Sequence, residues 1–142
     1  MPQPSSTTGA AILQRCDSAV LDMLRYGKRL ARLEGARLLS MRHVVAAMLT
    51  LDEERLRSVF ATHGVDAAVV RRCLEEFVLS TDGVRQASGG PMPLSGRVAS
   101  LLTTAGRTGT VTPPSLAEAL CAGPVGPGAS ATAALLDACS LR

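Results

Sequence analysis

Apolar residues along this chain recur in steps of three and four, the spacing that keeps them on one face of an α-helix. The first run, Cys16, Val20, Met23, Leu24, Gly27, Leu30 and Ala31, predicts a helix capped by Asp17 or Ser18 and stopped near Gly35. Ile12 and Leu13 would also allow an earlier start near Thr8. Leu38-Leu39 reads as a short connector, after which Ser40 caps a second helix from Met41 to about Thr50. Asp52, Glu53 and Glu54 favour the positive start of a third helix, which carries Leu56, Val59 and Phe60 and ends at Gly64. Asp66 caps a fourth, with Val69, Val70, Cys73, Leu74, Phe77 and Val78 on its apolar face. Beyond a stretch rich in Gly and Pro, Ser95 caps a fifth helix bearing Val98, Leu101, Leu102 and Ala105. A sixth starts at about Pro113 and runs to Ala122, and a seventh covers Ala131 to Ala138. The chain reads as all-α.

The same phrase occurs twice in this pattern. Leu39-Ser40 and Val111-Thr112 each place an aliphatic residue, then a helix-capping hydroxyl, ahead of a short apolar helix. Apolar pairs follow in both places, Val59-Phe60 before Gly64 and Leu135-Leu136 before Ser140. Such self-similarity predicts two tandem units of short helices packed together. The expected boundaries are a flexible tail over 1–15, a first unit over 16–80, a linker over 81–94 and a shortened second unit over 95–142. Before Arg142 nothing in the second unit matches the fourth helix of the first. Leu116, Leu120, Leu135 and Leu136 are therefore expected to lack part of their cover.

Composition supports helices. Apolar residues make up 46% of the 142, with aromatics only 2%, so Ala, Leu and Val must fill the core. A net charge of +3 is mild, and no apolar run approaches the roughly 18 residues of a membrane span. The opening residues carry neither a charged nor an apolar leader region, so a cytoplasmic location is expected. Cys16, Cys73, Cys121 and Cys139 form no CxxC pair, which suits reduced thiols serving as small core side chains.

His43-Val44-Val45-Ala46-Ala47-Met48-Leu49, followed by Gly64-Val65-Asp66 and the basic amphipathic run Val70-Arg71-Arg72-Cys73-Leu74-Glu75, resembles the N-terminal domain of Clp-type AAA+ unfoldases and disaggregases. The segment Gly83-Val84 through Gly89-Gly90 before a Ser-capped helix is most similar to the ClpB-type version. In the second copy Ser115 stands at the His43 position, and the long helix is shorter. The resemblance implies two tandem Clp repeats forming one domain, with about seven helices here and the last one of the second repeat missing. It implies a non-catalytic module that captures unfolded substrates or adaptor proteins for a Clp-type ATPase on the same or another chain. A free-standing regulator acting by protein binding is the alternative. The groove of the resembling domains, carried over, points to Asp17 and Leu21 on one side and Leu94, Val98 and Leu102 on the other.

Enzymatic signals are weak. The only lysine, Lys28, is far from any glycine cluster, so no phosphate loop is present and no cofactor is expected. His43 and His63 are too few and too isolated for a metal site. A Ser-His-Asp arrangement would need convergence in space that sequence alone does not give. The stretch Arg25, Lys28, Arg29, Arg32, Arg37 and Arg42 reads as a solvated face, a contact for an acidic partner or, more distantly, a nucleic-acid helix. Neither helix-turn-helix spacing nor interleaved aromatics accompanies it, so no nucleic-acid or membrane partner is expected.

Overall fold

A computed structural model describes residues 12–77, 92–107, 109–122 and 131–139. These form seven helices with no strand: α1 (Ser18–Glu34), α2 (Met41–Leu51), α3 (Glu53–Thr62), α4 (Ala67–Phe77), α5 (Gly96–Ala105), α6 (Pro113–Cys121) and α7 (Ala131–Ala138). The fold is all-α. A helical turn over 12–14 precedes them, with Ile12 buried in the core, so the packed chain starts before the expected end of the tail at residue 15. The rest of that tail, and the linker as far as residue 91, lie outside the described residues.

Local chemistry accounts for the ends of the helices. The Asp17 carboxylate accepts the Val20 N–H at the start of α1, and Gly35 closes it in a left-handed conformation at φ 78°. The Ser95 hydroxyl accepts the Val98 N–H to start α5. Thr112 and Ser115 cap α6 reciprocally, each side-chain oxygen accepting the other residue's backbone N–H at 3.2 and 2.8 Å.

Helix α2 is the hub, packed against α1, α3, α4 and α5, while α6 packs against α3, α5 and α7. At the crossing of α1 with α2 only a hydrogen fits. A Cβ on Gly27 would lie 3.0 Å from Leu39 Cδ1 and 3.2 Å from the His43 carbonyl oxygen.

Leu116, Leu120, Leu135 and Leu136 are all buried, contrary to the expected gap. Helix α7 is responsible: it packs on α4 as well as on α6. Thr132 Oγ1 accepts the Asp66 N–H at 2.9 Å, and the Ala138 carbonyl accepts from Arg97 at 3.1 Å. Helix α4 thereby covers α7. Of the expected face of α4, Val70 and Leu74 are buried, and Val69 and Cys73 pack half-buried against the core. The Phe77 side chain and Val78 lie outside the described residues.

Candidate functional site

Two short parallel pairings link the segments that flank α1 to those that flank α5. Val111 N–H donates to the Arg15 carbonyl at 2.8 Å, and the Val111 carbonyl accepts from Asp17 N–H at 2.9 Å. Leu39 N–H donates to the Pro93 carbonyl at 2.9 Å, and the Leu39 carbonyl accepts from Ser95 N–H at 2.9 Å. The two pairings have the same pattern. Leu39, which follows α1, lies opposite Leu94 just before the cap of α5, and Val111, which follows α5, lies opposite Cys16 just before the cap of α1.

The second pairing has a consequence for charge. Its two segments run parallel and both turn at once into helices, so the starts of α2 and α5 lie side by side. Each helix start carries roughly half a positive charge. Neither helix has a carboxylate in its first turn; each has an arginine there, Arg42 two residues after Ser40 and Arg97 two after Ser95. A cation at that end is disfavoured by about 0.3–1 kcal/mol. Helix stability does not explain these two residues.

A groove of about 590 Å³ opens at this place, lined by Ser40, His43, Ser95 and the three arginines Arg37, Arg42 and Arg97. Leu38, 46% exposed, stands on its rim. A second trough of about 470 Å³ adjoins it, sharing Met41 and Arg97 and carrying Leu101 and Leu120 on its wall. Cys139 at the groove is buried and its thiol is pushed up to about 12 by burial, although the charges of Arg42 and Arg97 both pull it the other way. Cys16 and Cys121 are likewise pushed up to about 11 by burial, so these thiols stay protonated and unreactive at neutral pH.

Behind the groove, Ser40, His43 and Glu34 stand in a row. The Ser40 N–H donates to His43 Nδ1 at 3.2 Å, and Ser40 Oγ lies 2.8 Å from the same nitrogen. With Nδ1 accepting, the ring proton sits on Nε2, which donates to Glu34. Glu34 also takes Arg42 at 2.5 Å. The order of groups matches a serine-hydrolase relay, but three facts argue for a helix cap instead. His43 is 1% exposed, and burial holds its pKa below the ordinary value against the opposing pull of Glu34. Its free lone pair is already engaged by a backbone N–H. The Ser40–His43 contacts lie within the first turn of α2, as Thr112 and Ser115 make the corresponding cap on α6, and Glu34 joins them from the end of α1.

The residues expected to form the binding groove are dispersed. Asp17 is spent on capping α1 and on the pairing with Val111, and Leu21 is half-buried against the core. Leu94 belongs to the other pairing, through Leu39, which packs on Gly27. Gly27 lies ten positions along α1 from Asp17, about 15 Å at the helical rise. Val98 and Leu102 are 0% and 1% exposed and are core, because α5 turns its apolar face inward onto α6 and α2. They are not available to a partner.

The basic stretch divides in the same way. Arg25 pairs with Asp22 on the surface, while Arg42 and Arg37 turn to the groove. Sequence reasoning missed Arg97 and Glu34 as members of this site. The repeated order of cap, one residue, then arginine (Ser40-Met41-Arg42 and Ser95-Gly96-Arg97) was the signal that could have found the first.

Among the described residues no group of His, Cys, Asp and Glu is placed to hold a metal ion, and no helix is long and apolar enough to cross a membrane. No protein-family model, curated protein or solved structure matches the chain.

Proposed function

We propose that the chain is a non-catalytic protein-binding module made of two related helical units, of the kind that stands at the N-terminus of Clp-type AAA+ unfoldases. In this reading it works in the cytoplasm, where it recruits unfolded substrate or an adaptor protein and presents it to a Clp-type ATPase on its own or another chain. The observation that carries the reading is the reciprocal pairing of Leu39 with Leu94 and of Val111 with Cys16. Two copies of one unit related by a two-fold would exchange their connectors in this manner. The matched caps, Ser40 with His43 and Thr112 with Ser115, support the same relation. Further support is the chemistry of the surface, where an open groove joins charged and apolar walls.

The test is a calorimetric titration of the 142-residue chain with a reduced, carbamidomethylated and therefore permanently unfolded protein. Saturable binding without ATP turnover is the expected result. Failure to bind unfolded protein, or saturable binding of ATP, overturns the proposal.

A further inference from the structure

We propose that the basic groove at the starts of α2 and α5 docks an acidic segment of a partner protein, whose carboxylates meet Arg37, Arg42 and Arg97 while its apolar side chains enter the adjoining trough. This rests on the protein-binding reading above and names the chemistry of the partner. The charged groups lining the groove are all of one sign. Arg37 makes no ion pair or hydrogen bond among the described residues, and Arg97 meets there only the neutral carbonyl of Ala138. Of the three arginines, Glu34 pairs among the described residues with Arg42. Arg97 also occupies the first turn of α5, where a cation is opposed by the helix dipole and a bound carboxylate would relieve the conflict that Glu34 already relieves for Arg42 at the start of α2. Planar guanidinium groups suit the two-oxygen face of a carboxylate.

The trough decides between classes of acidic partner. Met41, Leu101 and Leu120 give it an apolar wall, continuous with the arginines through Met41 and Arg97. A peptide offers carboxylates and aliphatic side chains side by side. Nucleic-acid bases would need aromatic platforms, and none lines either groove.

The experiment is fluorescence anisotropy of the full chain with a labelled twelve-residue peptide alternating Glu and Leu, beside its Gln-for-Glu counterpart and a single-stranded oligonucleotide of equal charge. The Glu peptide should bind at least tenfold more tightly than the Gln peptide. Arg37→Glu, at an exposed site without a partner among the described residues, should weaken it about tenfold and leave the circular dichroism unchanged. Arg97→Gln should act in the same direction, and Arg25→Glu, on the Asp22 pair, should have no effect. Equal binding of the two peptides, unmoved by Arg37→Glu, overturns the assignment of the groove but leaves the protein-binding module standing. Tighter binding of the oligonucleotide overturns it in favour of nucleic acid. Absence of binding to either peptide and to unfolded protein overturns both readings together.

Discussion

Gly27 is the residue on which the helix packing is least forgiving. In an isolated helix, Gly→Ala gains about 1 kcal/mol of propensity. Here the added carbon meets Leu39 Cδ1 at 3.0 Å and, less yieldingly, the His43 carbonyl oxygen at 3.2 Å. Gly27→Val should therefore destabilise the protein by about 1–3 kcal/mol, seen as a lower urea midpoint at an unchanged slope. His43 gives a second prediction at this scale. Burial holds its folded pKa below the unfolded value, so the unfolded chain takes up the proton first as pH falls. Its contribution to stability is complete above about pH 6.5 and is lost as pH falls through the folded pKa. Urea titrations at pH 7.5 and 5.5 should show the loss in the native protein and a smaller one in His43→Gln. An equal pH dependence in both would remove His43 as the cause. The stripe containing Gly27 was legible from its spacing. The partners of His43 were not, because Glu34 lies nine residues earlier, across the turn between two helices.

At the scale of elements, the helices were readable nearly to the residue, since each has an apolar stripe and a side-chain or glycine signal at an end. Asp17, Ser95 and Thr112 cap as their positions suggested. The fate of α7 was not readable. Its apolar residues resemble those of an incomplete unit, and only the tertiary structure turns it onto α4. That docking depends on specific bonds at both of its ends. Removing the hydroxyl in Thr132→Val leaves the Asp66 N–H without its acceptor and should cost about 1 kcal/mol. Hydrogen exchange should then rise over 131–139 while α1 and α2 stay protected. Uniform loosening of the whole chain would mean that α7 does not open as a separate element. The proposed groove escaped the sequence for a related reason: Arg37, Arg42 and Arg97 converge only because two helix starts 55 residues apart are brought together by the Leu39–Leu94 pairing.

For the whole molecule, α1 with 17 residues and α5 with 10 are unequal partners, yet the connectors that follow them make the same bonds across the boundary. The sequence carries the motif behind this in four places: Cys16-Asp17, Leu39-Ser40, Leu94-Ser95 and Val111-Thr112 all set an apolar residue before a cap. Spacing reveals that these junctions are alike, but not which of them pair. Beside the packing of α3 on α6 and of α4 on α7, the reciprocal pairing ties the α1–α4 segment to the α5–α7 segment and sets the groove where α2 and α5 start, so it is the feature to measure. Native-state hydrogen exchange under increasing denaturant reads it directly at four donor amides, Asp17, Leu39, Ser95 and Val111. All four should exchange only with global unfolding, with the same free energy and denaturant slope as the core amides of α2. Fast exchange of Asp17 and Val111 while Leu39 and Ser95 remain protected, or the converse, would show that one pairing opens apart from the other and contradict the reciprocal arrangement.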